Sequence, residues 1–374
     1  MFLYQENLLA FSIKKYKLPS PFRLFIAAFM VIFLLFYQSN FLITKNTAYA
    51  QEDTLITILT YHDFTAGEGD SYKINITNFE NQMNYLAAHH YSVISLSELL
   101  KGLRNGQLPA KTIVITIDDG FKSTYTLAYP ILKKYNFPAT LFLYTNFIER
   151  NSYSLTWKEI KEMTKNNIEI GSHTLSHCNL LKYQENENYE TYLDRIRKEI
   201  ILSKEILESK IGEKVKFFAY PYGIYSSSVK DVVIQADYEG ILNANSMNNT
   251  LNADPLSLNR QIIFGQNSFN SFIQILNQRP FCISHIFPYD GTIETNQLVK
   301  IGAILEDDNY DVETLSMKLG GAKVKFDFSL ENREISFAPD VLKPLIKKSY
   351  IVNITALDKN SPYTRKTSWL ITVK

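Results

Sequence analysis

Thr112-Ile113-Val114-Ile115-Thr116-Ile117-Asp118-Asp119-Gly120 is the stretch on which the fold of this chain turns. Its first six residues are all β-branched and lack the strict polar alternation of a half-solvated strand. That pattern predicts a strand buried on both faces, as in a parallel sheet. Two carboxylates and a glycine then end the run. Adjacent carboxylates at a strand end point in different directions, so one can hold a metal ion while the other handles protons. Taken alone, Asp-Asp-Gly also reads as a polar turn.

Working outward, residues 51 to about 280 alternate strand-like and helix-like segments. Strands are expected at 55–60, 112–117, 138–144, 168–170, 215–219 and Gly240–Leu242. Helices are expected at 79–89, 124–135, 157–166, Tyr189–Ile211, 227–236 and 269–276, with Gly212 as a C-cap of the fourth. Repeated β-α units imply an α/β fold built on a parallel sheet, either open or closed into a barrel. After about residue 279 the rhythm changes to short strand-like runs at 299–305, 323–328, Glu334–Phe337, 350–356 and 368–373. Turn-rich pieces separate them, which predicts a small immunoglobulin-like β-sandwich in which Trp369 alternates as a core residue. The expected division is therefore 1–50 as a leader or anchor, 51–282 as an α/β domain and 285–374 as a β-sandwich accessory domain.

Two further segments carry chemistry. Ser172-His173-Thr174-Leu175-Ser176-His177 follows the short strand at 168–170. Histidines at i and i+4 share one face of a helical turn, a good bite for a divalent ion, and the chain has only six histidines. Phe217-Phe218-Ala219-Tyr220-Pro221-Tyr222-Gly223 is an aromatic turn at another strand end, able to wall a sugar groove or to pack as core. Two imidazoles with one carboxylate make a facial metal site with open positions, and the second carboxylate supplies a base. Such a site suits attack of water on an acyl carbon.

The 374 residues carry a formal net charge of +1, which argues against a nucleic-acid partner. At the N-terminus, Lys14, Lys15, Lys17 and Arg23 precede an apolar run over 24–37, and Ala48-Tyr49-Ala50 follows. Basic region, apolar core and A-x-A site match a secretory signal peptide. A retained anchor over 24–44 fits the same pattern. Either reading places the rest outside the cytoplasm: secreted, periplasmic or at the cell surface. Cys178 and Cys282 could be joined in an exported protein or stand as two unpaired buried thiols, and their spacing leaves both open.

With its three segments in this order, the chain resembles the polysaccharide deacetylase family, carbohydrate esterase family 4 with its NodB-type domain, over roughly residues 55–276. Residues 116–120 look like the family's T-[FI]-D-D-G motif, 173–177 its H-[ST]-x-x-H motif and 218–223 its Pro-Tyr-Gly segment. The resemblance implies a distorted (β/α)7 barrel, Asp118 as general base, and Asp119, His173 and His177 as ligands of a divalent metal, usually zinc and sometimes cobalt or nickel. It also implies the Tyr222 N–H as oxyanion donor. Leu59-Thr60-Tyr61-His62-Asp63, the 218–223 segment, Asp237-Tyr238-Glu239-Gly240 and Asn259-Arg260-Gln261-Ile262 are similar to the poly-β-1,6-N-acetylglucosamine deacetylases of biofilm assembly. In that picture His62 lies near the site, with Tyr220, Pro221 and Tyr144 on the substrate side, and exopolysaccharide synthesis or export machinery is the partner. Tyr61, Phe121 and Trp157 are further groove candidates for which core packing is the simpler reading. Two departures stand out. Ala219 occupies the position where many members carry an Arg that orients the base, and no Leu-x-His follows His177 to supply the general acid. His285 and His62 are the candidates left for that role. Deacetylation of peptidoglycan or chitin oligomers, and a non-catalytic glycan-binding or adhesion protein, are the alternative functions.

Overall fold

Eight parallel strands form one curled sheet: Leu55–Tyr61 (β1), Ser92–Val93 (β2), Lys111–Asp119 (β3), Ala139–Leu143 (β4), Ile168–Ser172 (β5), Phe217–Ala219 (β6), Gly240–Leu242 (β7) and Gln261–Ile262 (β8). The order is β8-β1-β3-β4-β5-β6-β7, with β2 on the edge of β3. The computed structural model describes residues 54–288, 292–293, 300–337, 345–346 and 349–373. The N-terminal leader or anchor expected over 24–44 and its A-x-A site at 48–50 lie outside the described residues, as does residue 299. Among the described residues no helix is long and apolar enough to cross a membrane.

The curl nearly closes on itself. Leu258 bridges in parallel to Leu242 at the end of β7, and three residues later β8 pairs with Leu59 and Thr60 of β1. Residues 258–262 thus span the gap between the two ends of the sheet.

Alternate residues of the buried strands enter two different cores, as the pleat requires. Ile113, Ile115 and Ile117 of β3, with Leu59 and Tyr61 of β1, join the large core under the helices. Ile56, Ile58 and Val114 face the inside with Phe142, Phe217 and Leu242. That inner core is plugged by Leu96, Leu99 and Leu100 of the helix Leu96–Asn105. Further along the same inner faces the residues turn polar. Thr60 and Thr116 hydrogen-bond to each other at 3.0 Å, and Asp118 comes next. The sheet is therefore apolar inside at its floor and polar at its mouth, where the strands end.

Glu169 of β5 ties the plug to the sheet. Its carboxylate accepts from the backbone N–H groups of Leu96 and Ser97 and from the Thr140 hydroxyl. A carboxylate at a helix N-terminus satisfies donors that have no partner within the helix. The helix is also capped locally by the Ser95–Glu98 capping box, and it ends at Gly106 in a left-handed conformation (φ 65°). Neither β2 nor this helix was among the expected elements, although Ser-x-x-Glu ahead of periodic leucines was its visible signature. The expected helix 124–135 begins as a wide turn, Thr124–Ala128, and only Tyr129–Tyr135 is α-helical. Pro130 has no N–H to donate to the Thr126 carbonyl, and Tyr129 N–H reaches back five residues to Thr124 instead.

Residues from 279 onward form two packed sheets. One contains Ser316–Leu319, Ala322–Val324, Ser349–Leu357 and Thr364–Val373, with Arg279–Pro280 and Thr292–Ile293 paired to the last of these. The other contains Ile283–Phe287, Ile301–Leu305, Asp327–Ser329 and Glu334–Phe337. Ala303 and Ile335 from one sheet meet Met317, Ile354, Trp369 and Ile371 from the other in a common core. The single strand expected at 323–328 is two strands on different sheets, and Ser316–Leu319 was not anticipated. Cys178 and Cys282 are not joined by a disulfide.

Glu169→Ala leaves the Leu96 and Ser97 N–H groups and the Thr140 hydroxyl without their acceptor, while the Ser95–Glu98 capping box remains. A loss of about 1–3 kcal/mol in chemical denaturation is expected, with the circular dichroism of the native baseline unchanged.

Candidate active site

The mouth of the curled sheet gathers side chains from several strand ends. At the end of β3 the chain leaves the sheet through two residues of positive φ, Asp119 (74°) and Gly120 (92°). Asp118 still faces inward and is 2% exposed, while Asp119 turns towards the loop that follows β5. His173 and His177 come from that loop. It is not the helical turn that i, i+4 spacing suggested. Thr174 (φ 72°) and His177 (φ 58°) are both left-handed, and the loop is tied down by side chains. His177 N–H donates to Thr174 Oγ1, while the Ser176 N–H and hydroxyl both donate to the Glu199 carboxylate of the helix Tyr189–Ile211. The two imidazoles still end with ring centres 4.8 Å apart.

Asp119 Oδ1 lies 3.8 Å from His173 Nε2 and 3.3 Å from His177 Nε2. One ligand atom from each of these residues falls within 4.8 Å of the other two. The donor set fits a divalent ion on two counts. Asp119 Oδ1 is buried and has no hydrogen-bond partner, an orphan that a cation would satisfy. His173 Nδ1 sits 2.7 Å from the Ala219 carbonyl, which takes its N–H and leaves the Nε2 lone pair facing the site. Burial pushes the Asp119 carboxyl up, with neighbouring Asp118 adding to the effect, to about 7. Burial pulls His173 down to about 3, so its ring is neutral and its approach to the acids is no ion pair.

Asp118 is held differently. Burial alone would raise its pKa, but the Arg260 guanidinium outweighs it and holds the carboxyl below its usual range. Arg260 Nη1 donates to Asp118 Oδ1 at 2.7 Å, both side chains are 2% exposed, and Arg260 Nε is held by the Asn243 carbonyl. Two carboxylates adjacent in sequence thus have opposite proton affinities, the pattern that separates a ligand from a base.

Above them opens a cavity of about 300 Å³ lined by Thr60, His62, Tyr72, Tyr220, Tyr222 and Ile262 as well as the acids and histidines. His62 Nδ1 is buried without a partner, and burial lowers the ring's pKa against the pull of Asp118. Tyr222 is 61% exposed, packs edge-on to His177 and has φ 60°. The following Gly223 has φ 68°, and a Cβ there would lie 2.5 Å from the Ala244 Cβ.

The comparisons bear on this geometry. Residues 105–241 match the family model described as Polysaccharide deacetylase. That span includes Asp118, Asp119, His173, His177 and Tyr222. Poly-beta-1,6-N-acetyl-D-glucosamine N-deacetylase of Staphylococcus aureus (strain MRSA252) is 29% identical over 205 residues, covering 54% of this chain and 71% of the relative. A putative polysaccharide deacetylase, YxkH, of Bacillus subtilis (strain 168) is 28% identical over 183 residues, covering 49% and 62%. Among solved structures, the Streptococcus pyogenes deacetylase PplD in complex with acetate superposes with a TM-score of 0.54 at 27% identity, over 60% of this chain and 99% of that one. IcaB from Ammonifex degensii shares the fold, with a TM-score of 0.53 at 22% identity, over 60% and 96%.

At the mouth of the curled sheet the structure brings Asp118, Asp119, His173, His177, His62, Tyr220 and Tyr222 to one cavity. Tyr144 stacks on Phe147 with its ring 5.2 Å from His177, and Pro221 is buried beneath Tyr222 in the same short turn. Tyr61 is core, its hydroxyl donating to Gln82, while Phe121 packs on Phe147 and Trp157 packs against the large core. His285 lies exposed on Ile283–Phe287 of the C-terminal sheets and does not line the cavity. The residue that sequence reasoning missed is Arg260. Its segment drew notice without a role, because 142 residues separate it from Asp118 and β8 is only two residues long.

Metal affinity is expected to depend on pH through Asp119. Below about 7 a proton occupies the Asp119 carboxyl in the metal-free protein, whereas His173 is already neutral. Competition for one such proton makes zinc binding about tenfold weaker at about pH 6 than at about pH 8. Calorimetric titration checks this, and pH-independent affinity would exclude Asp119 as a ligand.

Proposed function

We propose that this chain is an extracytoplasmic, zinc-dependent N-deacetylase of poly-β-1,6-N-acetylglucosamine. The observation that carries the proposal is the division of labour between Asp119, grouped with His173 and His177, and Asp118, held ionised by Arg260 at the mouth of one cavity. The name of the Staphylococcus aureus relative supports the choice of polymer.

A divalent ion held by Asp119, His173 and His177 supplies Lewis acidity towards the acetamide carbonyl and acidifies water. Asp118 accepts the proton of the attacking water. It is a competent base at neutral pH because Arg260 keeps it ionised and fixes one oxygen, leaving the other free. The Tyr222 N–H is the proposed donor to the developing oxyanion. His62 is the proposed donor to the leaving nitrogen. It lines the cavity with a spare buried nitrogen facing the space where the acetamide would sit. Acetate and a free amine on the glycan are the products. The division into a deacetylase domain over 51–282 and an immunoglobulin-like accessory domain over 285–374 is part of the proposal. So are export through the N-terminal segment and a place beside exopolysaccharide synthesis or export machinery.

Released acetate is measured from purified protein with zinc against poly-β-1,6-N-acetylglucosamine, chitin oligomers and peptidoglycan. The first is expected to be preferred. Preference for another polymer would reassign the substrate, and no acetate from any would sink the enzyme reading. In the same assay Asp118→Asn is expected to lose at least about 10³-fold in kcat, as general-base removal does, while binding zinc normally. Full activity in that variant would exclude Asp118 as base.

A further inference from the structure

Lys366 brings an ammonium to the loop that packs on the backbone of Arg260. It lies on Thr364–Val373 of the C-terminal sheets, and its Nζ donates to Ser246 Oγ at 3.0 Å. Burial, with Lys318 adding, pulls the amine down to about 8, and none of the described carboxylates pairs with it. An ammonium taken from water without a counter-ion is a costly way to fill space. Its chemistry explains what it does there.

Ammonium is a donor only. A hydroxyl that accepts from it must direct its own proton onward, and Ser246 Oγ lies 3.3 Å from Gln261 Oε1. That fixes the Gln261 amide the other way round: Nε2 donates to Asn248 Oδ1 at 3.0 Å and faces Gln278 Oε1 at 3.3 Å. Asn248 Nδ2 in turn donates to the carbonyls of Ile275 and Gln278. The ammonium at one end and the Ile275 and Gln278 carbonyls at the other require the same direction of every bond in this chain.

The chain meets the backbone of Arg260. Ser246, held at a left-handed φ of 54°, donates its backbone N–H to the Arg260 carbonyl at 3.0 Å, and Gln261 is the next residue. Arg260 Nε is held by Asn243 and Nη1 by Asp118. The 245–249 loop is also seated on the C-terminal strand elsewhere, since Ser368 N–H lies 3.4 Å from Met247 Sδ. A left-handed non-glycine residue persists only where its surroundings over-determine it, and Lys366 is one of those determinants.

We propose that Lys366 is a positioning residue for the Arg260–Asp118 pair, which makes the C-terminal two-sheet region a working part of the active site. This rests on the deacetylase reading above.

The test uses the full chain loaded with zinc. Lys366→Met keeps the stem and removes the donor. It is expected to lower kcat for acetate release about tenfold, as small misplacements of catalytic groups do, with KM and zinc affinity within about twofold. Lys366→Arg, still donor-only, is expected to restore most of the rate. In an Arg260→Lys background Lys366→Met is expected to add less than about a further twofold, because coupled residues do not act additively. An unchanged kcat, or a full tenfold loss on top of Arg260→Lys, overturns the proposal. If Lys366→Met fails to fold, Ser246→Ala breaks the same link and carries the same expectations. A second readout needs no activity: the Arg260 Nε–H resonance is expected to exchange slowly in the native chain and quickly in Lys366→Met. If the native chain releases no acetate, the deacetylase reading has failed, and this resonance still decides the positioning role. Equal exchange in the two proteins refutes it.

Discussion

The contact on which the site depends is the buried ion pair between Asp118 and Arg260, 2.7 Å apart at the floor of the cavity. A carboxylate placed inside a sheet without a partner would take up a proton, because burial penalises its charge. With the guanidinium it stays ionised. Beside it, Asp119 lacks such a partner and its proton affinity rises towards neutrality. The guanidinium reaches Asp118 because residues 258–262 bridge the two ends of the sheet. The same segment closes the fold and keeps Asp118 ionised.

Backbone strain collects at the same spot. Asp119, Thr174, His177 and Tyr222 all have positive φ, and for β-branched Thr174 that is an outlier. Each such residue costs on the order of 1–3 kcal/mol. They are held by contacts on rigid elements: Glu199 grips the histidine loop from its helix, and Ala219 at the end of β6 holds His173. A loop free to relax would move the imidazoles off Asp119 and the orphaned oxygen would lose its neighbours.

Much of this was legible in the sequence, and the parts that were not share a cause. Residues 112–120 announced a doubly buried strand ending in two acids, and the periodicity of Tyr189–Ile211 announced a helix that Gly212 ends. The His173–His177 pair was visible as a ligand set, but its spacing suggested a helical turn, and the local bonds that replace the helix involve side chains of Thr174 and distant Glu199. Arg260 was hidden because a two-residue strand has no periodicity to read and because its partner lies far back in the chain. The apparent gap at Ala219, where an arginine was missed, is filled from another strand: the guanidinium comes from Arg260, while the Ala219 carbonyl orients His173. The split of 323–328 between two sheets was equally invisible, since a strand that changes sheets keeps its composition.

The late position of the bridging segment has a consequence for biosynthesis. A chain made from its N-terminus displays Asp118, Asp119, His173 and His177 well before residue 260 emerges. Until then Asp118 has no guanidinium, and nothing holds its carboxyl below the usual range. The ionised Asp118 of the folded protein is therefore a late product of folding, made only when the 258–262 segment docks against β1.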